Sequence, residues 1–151
     1  MKETLMRVVA TAALMTGASV IIGATRSSGE HDDDKFVYAV NVLCGFGTTS
    51  INVHNPNERT ITFIKKGIPL EFGQPTPPQE QQRQSLKPGW ALLMGCQDIA
   101  ALGAVGSTGT GDVIIDSTQA LDVWAVYVSF VAGGGLGETR VVRVPPTAVK
   151  R

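Results

Sequence analysis

The feature that most constrains the fold is a series of short segments in which apolar and polar residues alternate. Segment 36–44, FVYAVNVLC, is rich in strand-forming residues, and its apolar residues at 36, 38, 40, 42 and 44 share one face of a strand. Similar segments follow, and clusters of glycine, proline or asparagine separate them. The pattern predicts about eight strands, at 36–44, 49–55, 60–65, 68–72, 90–96, 112–116, 121–131 and 138–144.

Long helical periodicity does not interrupt these strands, so an α/β fold is disfavoured. Segment 73–84 carries three prolines and five glutamines and is expected to be a polar loop, and 97–102 has room for a single helical turn. We therefore predict an all-β protein, an antiparallel β-sandwich of 7–8 strands that is only loosely immunoglobulin-like. A true immunoglobulin domain has a Trp about a dozen residues after its first Cys, whereas here Trp90 precedes Cys96.

The first residues have the layout of a signal peptide. Lys2 and Arg7 precede an uncharged run, 8–24, that ends in small residues. We expect 1–24 to be removed on export, 25–34 to be a disordered acidic leader, 35–146 to form the sandwich, and 147–151 to be a tail. The protein would then be secreted, periplasmic or on the cell surface, with no stable membrane span after signal removal. A retained N-terminal anchor is the alternative.

The two cysteines fit such a compartment. Exported proteins with an even number of cysteines usually pair them. Cys44 and Cys96 each share parity with an apolar strand face, so their sulfurs could meet between strands. We predict a Cys44–Cys96 disulfide, and two free buried thiols are the alternative.

Composition and motifs argue against several functions. Thirteen basic and thirteen acidic residues give a net charge of zero, which does not favour nucleic-acid binding. The sequence has no GxSxG, HExxH or CxxC motif, so we predict neither catalytic residues, nor a resident metal, nor a cofactor. His54 is expected to be structural. Weak cation binding by the acidic leader, residues 31–34, and a calcium site at Asp112 and Asp116, which Asp122 could join across a hairpin, are less favoured.

Segment 121–131 is apolar on both of its faces, and together with the apolar strand at 36–44 it gives the chain more apolar strand surface than two inner faces require. A sandwich strand usually leaves one face in water, so the second face needs a cover. We predict that loops of the chain or a partner cover it. The candidate interaction residues are Trp124, Val126, Tyr127, Val128 and Phe130.

Five segments carry a resemblance to a known group of proteins. They are YAVNVLC at 38–44, INVHNP at 51–56, WALLMGCQDI at 90–99, DVWAVYV at 122–128 and RVPP at 143–146. Together they resemble a family of uncharacterised exported bacterial proteins, which implies a small secreted sandwich and no particular activity.

The combined expectation is a non-enzymatic exported sandwich that serves as a structural or interaction subunit of a cell-surface or extracellular assembly. Its partner would be itself or another exported protein. One alternative is a carbohydrate- or ligand-binding module that stacks a ligand on Trp90, Trp124 or Tyr127. A less favoured alternative is a small secreted hydrolase built on His54 and an aspartate.

Overall fold

The structure is a computed structural model, and it describes residues 34–45, 47–79, 81–131 and 135–150. In these residues the chain forms nine strands and one short helix. In chain order they are β1 (Asp34–Leu43), β2 (Gly47–His54), β3 (Ile61–Pro69), β4 (Gln81–Leu86), β5 (Ala91–Met94), α1 (Cys96–Ala101), β6 (Thr110–Ser117), β7 (Asp122–Phe130), β8 (Leu136–Val144) and β9 (Thr147–Lys150).

The strands form two sheets whose neighbouring strands are all antiparallel. The five-stranded sheet has the order β4-β3-β6-β1-β9, and the four-stranded sheet has the order β5-β2-β7-β8. The predicted antiparallel β-sandwich is confirmed, with nine strands in place of seven or eight. Immunoglobulin-likeness stays a prediction.

Alternate residues of the central strands point between the sheets and form one core, as their period of two predicts. Tyr38 is the largest of them, and its hydroxyl donates to the Leu121 carbonyl at 2.8 Å and accepts from the Leu121 N–H at 2.7 Å. Since Tyr38 lies on β1 and Leu121 immediately precedes β7, this side chain joins the two sheets. The other large core side chains are Val40, Ile51, Val53, Phe63, Met94, Ile99, Leu102, Val113, Ile115 and Val123.

The disulfide also joins the sheets. Cys44 follows β1 of the five-stranded sheet, and Cys96 begins α1 directly after β5 of the four-stranded sheet. The sulfurs are bonded and the Cα atoms lie 5.7 Å apart, so the predicted Cys44–Cys96 bridge is confirmed.

Two connections differ from the local expectation. The short connection between β2 and β3 suggests a hairpin, yet β2 belongs to the four-stranded sheet and β3 to the five-stranded sheet. Strands β6 and β7 are likewise consecutive in sequence but lie in different sheets. A strand followed by a turn and another strand has the same sequence pattern in both arrangements. Which sheet a strand joins depends on distant pairing partners.

Two strands lie where none was expected, and the predicted strands 60–65 and 68–72 are instead the single strand β3, which ends at Pro69. Strand β4 falls partly within the polar segment 73–84, and β9 occupies most of the predicted tail. Both are edge strands, which need backbone pairing on one side only and can keep polar side chains in water. Thr147–Lys150 pairs with residues 34–37 of β1, so the sandwich extends beyond 146.

The segment after α1 lies against the inner side of the five-stranded sheet. A Cβ atom on Gly111 would lie 1.6 Å from the Ala104 carbonyl oxygen, and one on Gly67 would lie 2.3 Å from that of Leu102. Only glycine permits this approach, so residues 102–104 fill space that side chains of β3 and β6 would otherwise occupy.

The predicted signal peptide and leader lie outside the described residues, apart from Asp34, whose backbone begins β1. Within the described part of the chain, no helix combines the length and apolar character that a membrane crossing requires.

Candidate interaction surface

The outer face of the four-stranded sheet, defined as the side that points away from the five-stranded sheet, contains most of the predicted interaction residues. Strand register places Leu93, Asn52, Trp124 and Arg143 in one row across β5, β2, β7 and β8. The same register places Val126 beside Val141 in the next row. Residues from all four strands therefore contribute to one surface.

This face exposes large apolar side chains. The exposed fractions are 39% for Trp124, 46% for Phe130, 60% for Val141, 67% for Leu93 and 76% for Leu136. Val126 and Val128 are half-buried between these neighbours. Among the described residues no loop covers the face, so the expectation of a cover by the chain's own loops is not met there.

One end of the face is charged. The Arg143 guanidinium donates to Asp122 at 2.8 Å and lies 5.8 Å from the centre of the Trp124 ring. His54 Nδ1 lies 3.5 Å from the other Asp122 oxygen. The three polar groups hold one another in place beside the indole, which leaves an aromatic surface edged by hydrogen-bonding groups.

Tyr127 does not belong to this face. Its neighbours Val126 and Val128 point outward, so Tyr127 points inward, where it packs against the core. Its hydroxyl donates to the Asn41 carbonyl at 3.0 Å, and burial raises the pKa of this phenol. Four of the five candidate residues therefore share the outer face, and Tyr127 instead joins β7 to β1.

A cleft of about 500 Å³ opens beside Tyr127, between β1 and β8. Its walls include Leu43 and Val142, together with the charged residues Glu138 and Arg140. Apolar and charged side chains thus both line the cleft, and the Tyr127 hydroxyl is already engaged within the chain.

The candidate aspartates do not come together. Asp112 and Asp116 lie on β6 and point outward from the five-stranded sheet, whereas Asp122 lies on the outer face of the four-stranded sheet. Each carboxylate has a partner within the chain: Asn41 for Asp112, two lysines for Asp116, and Arg143 for Asp122. The described residues contain no cluster of three potential metal ligands.

Asp116 is the most buried of these carboxylates, with 5% of its side chain exposed. Burial by itself would raise its pKa, but hydrogen bonds from Lys66 and Lys35 outweigh that effect and lower the pKa. The arrangement is an ion triad on a sheet surface, and its geometry indicates a role in stability.

His54 lies beside an aspartate, the acid that a catalytic histidine would need. Among the hydrogen bonds of the described residues, none joins His54 to a serine, threonine or cysteine. The structural role expected for His54 stays a prediction.

Trp90, the other candidate stacking residue, lies in the turn before β5. It is 57% exposed, and the Lys87 ammonium lies 4.9 Å from its ring centre. Its backbone carbonyl accepts from the N–H of Asn55.

Sequence reasoning missed Leu93, Leu136 and Val141 as members of the outer face. Each lies in a segment whose own pattern is ordinary, and only strand register shows that they share a face with Trp124 and Phe130. Comparison of the chain with protein-family models, with curated proteins and with solved structures finds no match.

Proposed function

We propose that this protein is an exported, non-enzymatic subunit of a cell-surface or extracellular assembly, and that its partner docks on the outer face of the four-stranded sheet. The observation that carries the proposal is the exposed apolar surface formed by Trp124, Phe130, Val141, Leu93 and Leu136. Burying one large apolar side chain contributes roughly 1.5–3 kcal/mol. Contiguous apolar patches of more than a few hundred Å² are uncommon on monomers and typically mark interaction sites.

The other outer face supports this choice by contrast. On the five-stranded sheet, the centre of the outer face is occupied by the ion triad of Asp116, Lys35 and Lys66. Its strands contribute Val149 alone to the large apolar side chains that are exposed among the described residues. The apolar surface is therefore concentrated on one side of the sandwich. The disulfide is compatible with an oxidising compartment outside the cytoplasm.

The test compares two phenylalanines. Phe130 lies on the outer face, whereas Phe72 lies outside the strands and is 90% exposed. The full chain and each variant are expressed in the native source, and the size and composition of the resulting complexes are measured by sedimentation and mass spectrometry. We expect Phe130→Asp to lose the assembly with an unchanged Tm, and Phe72→Asp to retain it. A wild-type protein that is monomeric in the native extract would contradict the proposal, as would a Phe130→Asp variant that assembles normally.

A second candidate function is ligand binding at the charged end of the same face. An exposed indole edged by Asn52, Asp122 and Arg143 offers a stacking surface with adjacent donors and acceptors, the combination that suits a sugar ring. Titration of the chain with a panel of soluble oligosaccharides tests this candidate. We expect Trp124→Ala to abolish the heat of binding and Trp90→Ala to leave it unchanged. If no oligosaccharide of the panel gave a heat of binding with the wild-type protein, this candidate function would be refuted.

A further inference from the structure

The edge of the four-stranded sheet at β8 is the longest unpaired edge in the described fold. Strand β8 has nine residues, whereas the other edge strands, β4, β5 and β9, have six, four and four. Edge strands present unpaired N–H and C=O groups to which another strand can hydrogen-bond. No proline lies within β8, and Pro145 follows directly after it.

The direction of the unpaired groups follows from one contact. The backbone N–H of Glu138 donates to the Ser129 hydroxyl at 2.9 Å, and that hydroxyl donates to the Glu138 carbonyl at 3.3 Å. The backbone of Glu138 therefore points toward β7. Since directions alternate along a strand, Thr139, Val141 and Arg143 turn their N–H and C=O groups to the free edge.

We propose that a second copy of this chain pairs with this edge, β8 to β8 and antiparallel, about a twofold axis at Val141. This inference rests on the proposed function, because it names a second copy as a partner in the assembly. The pairing places Val141 opposite Val141 of the partner subunit, and Thr139 opposite Arg143 of the partner subunit. The three pairs on this edge supply about six backbone hydrogen bonds.

Register and charge select this axis. The pairing of β8 with β7 is regular over 139–144, and Val141 is the edge-facing residue nearest the middle of this segment; before Thr139, the pairing shifts register between Val128 and Phe130. An axis at Thr139 would carry that irregularity into the new ladder. An axis at Arg140 would set two arginines directly opposite, which is unfavourable. The axis at Val141 sets no like charges opposite, and Arg143 is already paired with Asp122.

The pairing also extends the proposed docking face. A twofold axis perpendicular to the sheet keeps the same face outward in both copies, so two four-stranded sheets become one antiparallel sheet of eight strands. Val141, 60% exposed in the single chain, is then covered by its own counterpart. The two apolar outer faces become continuous across the axis.

Cysteine cross-linking of the full chain tests the pairing. Directly opposed residues that exchange hydrogen bonds have Cα atoms about 5.5 Å apart, within the range of a disulfide. We expect Val141→Cys to form a covalent dimer on mild oxidation. The matched control is Thr139→Cys, whose two copies would lie about 13 Å apart along the strands and are expected to stay unlinked.

A second variant tests the hydrogen bonds. Val141→Pro removes an N–H that points away from β7, so the sandwich keeps its own ladder, and we expect the dimer to dissociate at least tenfold more readily in sedimentation equilibrium. A monomeric wild-type protein, or equal linking of the two cysteine variants, would overturn the pairing. The docking proposal is tested separately by Phe130→Asp, because Phe130 lies on β7 and not on the edge strand β8 that forms the proposed pairing.

Discussion

Removal of the Cys44–Cys96 bridge should lower stability by an amount that follows from chain connectivity. The bonded residues are 52 positions apart in sequence, so the bridge closes a long loop in the unfolded chain. The chain-entropy relation gives about 4 kcal/mol for a loop of this length. With an unfolding entropy of about 2.1 cal/mol/K per residue, that loss corresponds to a fall in Tm of roughly 15 °C for a domain of this size.

The assay is urea and thermal unfolding of the double variant Cys44→Ala/Cys96→Ala, followed by circular dichroism. Reduced wild-type protein is the matched control, because it retains both sulfur atoms and their packing but has lost the cross-link. We expect the reduced protein and the double variant to unfold at similar temperatures, and the double variant to be insensitive to reductant.

Two results would refute this reasoning. A loss below about 1 kcal/mol would show that the bridge does not restrict the unfolded chain as the relation assumes. Reduced wild-type protein that keeps its Tm while the double variant loses stability would assign the effect to side-chain packing.

Three further substitutions test the interior and the sheet surface, each by equilibrium unfolding. Asp116→Asn should lower the free energy of unfolding by about 1.5–3 kcal/mol at neutral pH. Because the folded-state pKa of Asp116 is lowered, this contribution is present above the unfolded pKa near 3.9 and is lost as the pH falls through the folded pKa. The stability of the variant should therefore depend less on pH in the acid range than that of the wild-type protein. Gly111→Ala should destabilise the fold by more than about 3 kcal/mol, since its new methyl group would overlap the Ala104 carbonyl; a near-neutral result would contradict that close approach. Asn55→Ala should lower the free energy of unfolding by roughly 2–4 kcal/mol, because the fully buried amide donates to two backbone carbonyls and accepts from a third residue. A loss below about 1 kcal/mol would show that water replaces those hydrogen bonds.

Local pattern was sufficient for the strands that carry the core. Phe36, Tyr38, Val40 and Val42 alternate with exposed or half-buried residues, and the structure places Tyr38, Val40 and Val42 fully inside. An apolar period of two has one solution in water, which is to bury that side against another sheet. The core-forming strands and the β-sandwich follow from that requirement, whereas the pairing of the cysteines rests on their even number in an exported chain together with strand parity.

Two of the edge strands, β4 and β9, could not be predicted in the same way. The polar residues 81–85 of β4 and the chain end at β9 contribute little to the core, and backbone hydrogen bonds to β3 and β1 hold them in place. Every residue except proline carries the same backbone donor and acceptor, so the side-chain pattern does not indicate such strands.

The chain by itself determined that β7 is apolar on both sides and that one side must be exposed or covered. Tertiary structure decided which side: Val123, Ala125 and Tyr127 face the core, while Trp124 and Phe130 face outward. The tertiary structure also decided which other residues share that outer face, because residues distant in sequence meet there only through strand register. Register is set by pairing between remote segments, and the free energy of that pairing is a property of the whole sandwich, so no single segment encodes it.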